Sequence, residues 1–297
     1  MFLKVSDKVS LVLSETGFMF CNCVLIDDEV RTIIDTGLDK KALQEVNPPS
    51  IDMVLYTHHH YDHIRGHNSF SNAKSYMHKL DYQATQSMEA IDYYNSTDKW
   101  DELMPNVTKE EGVKALNMPT ERKPWTTDDS FEDNTIFDLG KTKVQVIHTP
   151  GHSAGHCSFF FPEEDFLFLG DICLTAAGPW YGEILADPED MIKSIDKIID
   201  LKVGRIATCH INSICEDSTL KLIEFKNRIY KREERIYNFL KKGPASIHEL
   251  ASNNLIYQYH PTPFVLFWEK LMLIKHLNQL VKMGMVEEVE KGLYAAK

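Results

Sequence analysis

Thr57-His58-His59-His60-Tyr61-Asp62-His63 follows the apolar run Ile51-Asp52-Met53-Val54-Leu55-Tyr56. That run has the length and the β-branched and aromatic content of a buried strand. The heptapeptide therefore sits at a strand's exit and carries four imidazoles and a carboxylate, the groups that Zn²⁺ and similar borderline cations take as ligands. If the segment coils into a loop, His58 and His60, two residues apart, can point into one site. Asp62 and His63 can then point into an adjoining one. His59, the alternating neighbour, should point away from both, into a supporting or surface position.

A His-rich surface loop with no purpose predicts no matching ligands elsewhere in the chain. Here they recur. The strand signal Lys143–Ile147 precedes His148-Thr149-Pro150-Gly151-His152-Ser153-Ala154-Gly155-His156. The runs 157–161 and 166–169 read as a hairpin ending in Gly170-Asp171, and the strand 205–209 delivers His210. His152, Asp171 and His210 thus stand at the ends of later strands, as the first cluster does.

Around these stations the chain reads as mixed α/β. Strands are expected over 9–13, 18–26, 31–34, 51–56, 73–77 and 131–139. Asp35-Thr36-Gly37 is expected to close a hairpin, and Lys40 to Val46 to form a short helix. Asp187 as N-cap and Pro188 at the first helical position announce a helix through Leu201. Residues 79–130 hold helical pieces at 82–94 and 109–116 and suit either a lid over the site or a peripheral cap. Gly178-Pro179-Trp180-Tyr181-Gly182 follows Asp171 closely, which makes Tyr181 a candidate for binding a carbonyl or phosphate oxygen at the mouth. His156 suits a supporting role more than ligation, His78 and His148 read as ordinary hydrogen-bonded histidines, and Cys209 reads as a buried thiol.

The chain has 297 residues, 43% of them hydrophobic and 26% charged, enough for a sizeable core. No run has the length of a membrane-spanning helix, and the first residues lack the pattern of a signal peptide. Six cysteines without a CxxC pair suggest neither a zinc ribbon nor a thioredoxin motif, and fit reduced thiols in a cytoplasmic protein. The net charge of −12 is uneven: residues 221–297 hold 13 Lys/Arg against 8 Asp/Glu, and the remainder 19 against 36. So acidic a body argues against general binding of a phosphate backbone.

The ordered set His58-x-His60-x-Asp62-His63, Thr149-Pro150-Gly151-His152-Ser153, Gly170-Asp171 and a strand ending in His210 resembles the metallo-β-lactamase-fold superfamily, over roughly residues 10 to 215. The resemblance implies an αββα sandwich with two divalent metal ions at one edge of its sheets, zinc first, with iron or manganese also suited. It implies that His58, His60 and His152 hold one metal, that Asp62, His63 and His210 hold the other, and that Asp171 bridges them. The final station departs from the Pro-Gly-His-Gly of many relatives, being Thr208-Cys209-His210-Ile211. A hydroxide between metals about 3.5–4 Å apart would attack an ester, thioester, lactone or phosphodiester, with Asp62 orienting it and taking its proton. No GxSxG motif is present, and His60 does not fit the HxExDH of the oxygen-reducing di-iron members. Mononuclear-iron sulfur dioxygenases keep HxHxDH and are an alternative.

Residues 219–297 are expected to form a second unit behind the catalytic domain at 1–218. A basic helix (221–241), the capping box Ser246-Ile247-His248-Glu249, a helix from Thr262-Pro263 to Met283 and a hairpin (285–295) resemble a C-terminal winged helix. The corresponding branch of the superfamily includes single-strand endoribonucleases, so RNA cleavage with help from this tail is a further alternative. The helix start Phe264-Val265-Leu266-Phe267-Trp268 is too apolar to read a groove, which favours packing or homodimerisation over RNA, and a small-molecule substrate.

Overall fold

A computed structural model describes residues 1–15, 19–116 and 124–297. Seven strands form the first sheet in chain order: β1 (Phe2–Lys4), β2 (Val9–Val12), β3 (Cys23–Ile26), β4 (Thr32–Ile34), β5 (Met53–Leu55), β6 (Lys74–His78) and β7 (Asp129–Phe131). β1 to β4 pair antiparallel, and β4 to β7 pair parallel. The second sheet comprises β8 (Ile136–Asp138), β9 (Lys143–His148), β10 (Cys157–Phe161), β11 (Phe166–Phe168), β12 (Arg205–Thr208) and β13 (Ile211–Glu216), in the spatial order β13-β12-β11-β10-β9-β8.

Alternation along the strands of the second sheet sends side chains into two cores. Val144, Val146, Phe159, Phe161, Phe166 and Phe168 meet Val24, Ile26, Leu55 and Met77 between the sheets. Ile147, Leu167 and Ile206 face outward, against helices. Each fully buried phenylalanine is worth about 1.5–3 kcal/mol of transfer free energy, so the four from β10 and β11 anchor the sandwich.

Helices α1 (Lys40–Val46), α2 (Tyr61–Ile64), α3 (Met88–Tyr94), α4 (Trp100–Leu103) and α5 (Lys109–Ala115) precede β7. α6 (Pro188–Leu201) starts as its sequence signals dictate: Asp187 accepts hydrogen bonds from the amides of Glu189 and Asp190, with Pro188 at the first turn. Together with α7 (Thr219–Leu240) it covers the outer face of the second sheet, completing the αββα layering.

Beyond α7 come β14 (Ala245–Ser246), α8 (Ile247–Ser252), α9 (Pro263–Lys282) and the hairpin β15 (Val286–Glu290) and β16 (Leu293–Ala296), the strands forming a small sheet in the order β14-β16-β15. Ser246 and Glu249 make the expected capping box. α9 is apolar on most sides because it packs against several partners. Phe264, Phe267 and Leu271 meet Trp100 and Val113 of the 79–116 segment, while Met272, Leu273 and Leu277 join α7. No described helix is long and apolar enough to cross a membrane.

Three expected elements differ. The stretch 131–139 is not one strand: β7 ends at Phe131 in the first sheet and β8 begins at Ile136 in the second. The polar Glu132-Asp133-Asn134 turns the chain between them, with Asn134 in the left-handed region at φ 63°. The run 18–26 yields only β3; Phe18 lies outside the described residues, while the amides of Cys21 and Asn22 bond to the carbonyls of Gly37 and Cys209. Asp35-Thr36-Gly37 closes no hairpin, since β4 pairs in parallel with β5, and its residues lie under the histidine loop instead.

Candidate metal centre

β5 ends at Leu55, the chain bends at Thr57, and His60, in an extended conformation, stands at the N-terminus of the single turn α2. The stretch before α2 aims His58 and His60 at one point, and the turn swings Asp62 and His63 to another. Gly37 lies so close beneath that a Cβ there would stand 1.6 Å from the Asp62 carbonyl oxygen. Thr36 fixes the same loop by donating through its amide and hydroxyl to the His63 carbonyl, at 2.8 and 3.0 Å.

Two donor groups result. In the first, His60 Nδ1 lies 2.9 Å from both His58 Nε2 and His152 Nε2, which are 3.2 Å apart. Asp171 Oδ2 adds a carboxylate 3.2 Å from His152 Nε2. In the second, Asp62 Oδ2 lies 3.6 Å from His63 Nε2 and 3.5 Å from His210 Nε2. Asp171 reaches this group too, its Oδ1 3.3 Å from His63 Nε2 and 3.1 Å from His210 Nε2. The structure thus brings together all seven residues expected as ligands, in the two groups that the family resemblance implies.

The far sides of the rings dictate what the near sides can do. His152 Nδ1 is 3.0 Å from the Trp180 carbonyl, which can only accept, so this nitrogen carries the proton. His60 Nε2 is 2.9 Å from Glu183 Oε2 and likewise donates. Thr57 Oγ1 donates to Asp35 at 2.8 Å and so accepts from His58 Nδ1 at 2.9 Å. Three unprotonated imidazole nitrogens therefore face one another, an arrangement that a cation stabilises. His63 repeats the pattern: Nδ1 donates to Asp35 Oδ2 at 2.9 Å, and Nε2 is buried with no hydrogen-bond partner, as is Asp171 Oδ1 beside it. The residues present fit divalent metals.

Electrostatics divide the same way. Burial first, and neighbouring imidazoles after it, push His58 well below the ordinary histidine range. Burial would lower His210 too, but the carboxylates of Asp171 and Asp62 raise it to about 9. Positive charge is thus favoured at the carboxylate-rich second group.

Tyr181 requires correction. It is fully buried, and its hydroxyl lies 2.9 Å from His276 Nε2 and accepts from Arg232 at 3.1 Å, among the C-terminal helices. The neighbouring Trp180 takes the place at the mouth, its ring edge-on to His60 and His152 at centroid distances of 5.2 and 5.3 Å. His59 does point away from the ligand groups but is buried rather than on the surface, with Nδ1 3.0 Å from Asp81 Oδ2 and Nε2 3.3 Å from Glu183 Oε2. Burial opposes its charge, yet Glu183 and Asp81 hold its pKa at about 10.

His156 supports Asp171, its Nε2 accepting from the Asp171 amide at 2.9 Å, and burial lowers it to about 4. Cys209 is a buried thiol directed at Asp35. Asp35, Asp81 and Glu183 were not anticipated from the sequence. Only Asp35, an acidic residue abutting the apolar run 31–34, left a readable trace.

An αββα sandwich with paired His/Asp donor groups at one edge of its sheets defines a class of metal-binding hydrolytic fold. The chain belongs to the metallo-beta-lactamase superfamily, whose family description matches residues 16–210. It is similar to the beta-lactamase-like protein 2 homolog of Drosophila melanogaster, 29% identical over 223 residues, which cover 72% of this chain and 65% of that protein. It is also similar to the hydroxyacylglutathione hydrolase of Pectobacterium atrosepticum, 24% identical over 78% of this chain and 72% of that one. Among solved structures, a metallo-beta-lactamase family protein from Thermus thermophilus shares the fold over 99% of this chain and 100% of its own, at a TM-score of 0.76 and 20% identity. Family and relatives class the chain with hydrolytic enzymes.

Proposed function

We propose that this protein is a dinuclear metal-dependent hydrolase, with acyl thioesters as its leading substrate class. The observation that carries this reading is the pair of adjoining donor groups joined by Asp171, with three imidazole nitrogens of the first group left unprotonated by the partners behind them. His58, His60 and His152 would hold one metal and Asp62, His63 and His210 the other, with Asp171 serving both. Zinc is the metal such ligands suit first. Bound there, two such ions supply a hydroxide nucleophile at neutral pH and stabilise the developing oxyanion.

The chain's own residues do the rest. Asp62 lies at the second group with its carboxylate partly open to solvent, where Oδ2 can orient an attacking water and take its proton. Trp180 walls the side of His60 and His152 and limits water there.

Likeness to a relative named for hydrolysing hydroxyacylglutathione, an acyl thioester, puts thioesters ahead of esters, lactones and phosphodiesters. Burial of α9 along most of its length supports a packing role for the C-terminal segment over RNA binding. Thioester, lactone and bis-aryl phosphodiester substrates assayed side by side test the reading. It expects the highest kcat/KM on the thioester and loss of turnover on chelation. Turnover of the phosphodiester alone, with single-stranded RNA bound in a salt-dependent way, would transfer the assignment to ribonuclease.

A further inference from the structure

We propose that Glu183 is a positioning residue for His60, braced by His59 and Asp81 through one buried chain of ion-pair and hydrogen-bond contacts; this rests on the metal-dependent reading above. Glu183 is fully buried, with Oε2 2.9 Å from His60 Nε2 and 3.3 Å from His59 Nε2. His59 Nδ1 faces Asp81 Oδ2 at 3.0 Å. Asp81 in turn accepts from the Ser153 hydroxyl and the Gly155 amide, both at 2.6 Å, in the loop that carries His152. A Cβ on Gly155 would lie 2.7 Å from the Asp81 carboxylate, so that close approach needs glycine.

The chain of contacts therefore joins three loops: the one with His58, His60 and His63, the one with His152, and the one with Trp180 and Glu183. Burying a carboxylate is costly unless it is paired and hydrogen-bonded. His59 lies between two of them, one at each ring nitrogen, and is the group that pairs both. A glutamate serving only to fill space would be replaced at less cost by an apolar side chain. Its value lies in being acceptor-only: it fixes the proton of His60 on Nε2 and leaves Nδ1 free toward His58 and His152. His60 needs this because its ring stands at the N-terminus of the single turn α2 and is the most exposed of the three imidazoles in its group.

The experiment is titration of the metal-depleted full-length protein with Zn²⁺ against a chromophoric chelator, repeated with Co²⁺ for its electronic spectrum. Wild type is compared with Glu183→Gln and Asp81→Asn. A glutamine can present either an oxygen or an amide to Nε2 and no longer fixes the proton. Glu183→Gln is expected to bind one of the two metals about 10- to 100-fold more weakly, to keep the other, and to shift the Co²⁺ spectrum. Asp81→Asn should change the same metal in the same direction, by less, and decides the matter if Glu183→Gln does not fold. Wild-type affinity for both metals in both variants, with only a lowered Tm, would leave Glu183 a packing residue and overturn the proposal alone. A third metal in wild type that disappears in Glu183→Gln would make Glu183 a ligand and overturn it as well. A wild-type protein that binds no divalent metal would instead defeat the metal-dependent reading on which it rests.

Discussion

Arg232 of α7 donates to the hydroxyl of Tyr181 at 3.1 Å, tying the C-terminal helices to the loop beside the histidines. The same guanidinium, almost fully buried, also donates to the carbonyls of Ala177 and Pro179. That loop presents Trp180 to His60 and His152 and continues to Glu183, so the C-terminal segment helps to build the site. Arg232→Ala strands the Ala177 and Pro179 carbonyls and should cost about 3 kcal/mol or more in urea unfolding. Tyr181→Phe removes one hydroxyl and should cost about 1 kcal/mol while turnover stays within a few-fold. A hundredfold fall in kcat for Tyr181→Phe, at unchanged stability, would restore Tyr181 to the chemistry.

Asp35 gathers three donors from the histidine loop. Its carboxylate accepts from the Thr57 amide at 2.9 Å, the Thr57 hydroxyl at 2.8 Å and His63 Nδ1 at 2.9 Å. Asp35→Asn can satisfy some of these but not all. Affinity for one metal should fall about 10- to 100-fold, with the other metal less affected. Equal weakening of both metals in a chelator competition would argue that Asp35 holds the whole loop rather than His63.

Acid stability has a separate source at the far end of the sandwich. Asp28 accepts from the amides of Lys141 and Thr142 and faces Lys8, joining the turn between β3 and β4 to the turn between β8 and β9. Desolvation opposes its charge, but the hydrogen bonds from Thr142 and the nearby Lys8 lower its pKa to about 2. A carboxylate with a depressed folded-state pKa contributes stability that is full above the unfolded value of about 3.9 and is lost as pH falls through the folded one. Asp28→Asn should therefore be less stable than wild type at pH 7, with the gap closing between about pH 4 and pH 2. A gap that stays constant across that range would assign the loss to packing.

The His58–His63 loop, Asp171 and His210 were legible because each ends a strand whose apolar run can be read, and because two-residue spacing settles which side chains share a direction. The start of α6 was legible for a similar reason: Asp187-Pro188 acts through local backbone groups alone. Glu183 and Trp180 were not, since residues 178–183 follow no repeating backbone and alternation predicts nothing there. Assigning the mouth to Tyr181 rather than Trp180 is an error of one residue in such a loop. Residues 131–139 misled because apolar residues stand on both sides of the polar Glu132-Asp133-Asn134, at which the chain changes sheets. His59 was legible in direction and left open between a supporting and a surface position, because its partners Asp81 and Glu183 come from distant parts of the sequence.

The most direct test of the dinuclear centre is elemental analysis of protein purified without chelator, in wild type and His63→Ala. Two divalent metals per chain, falling to one in the variant while His58, His60 and His152 keep theirs, is the predicted result. A single iron per chain with no zinc, unchanged by His63→Ala, would contradict the two-metal hydrolase and point to iron redox chemistry instead.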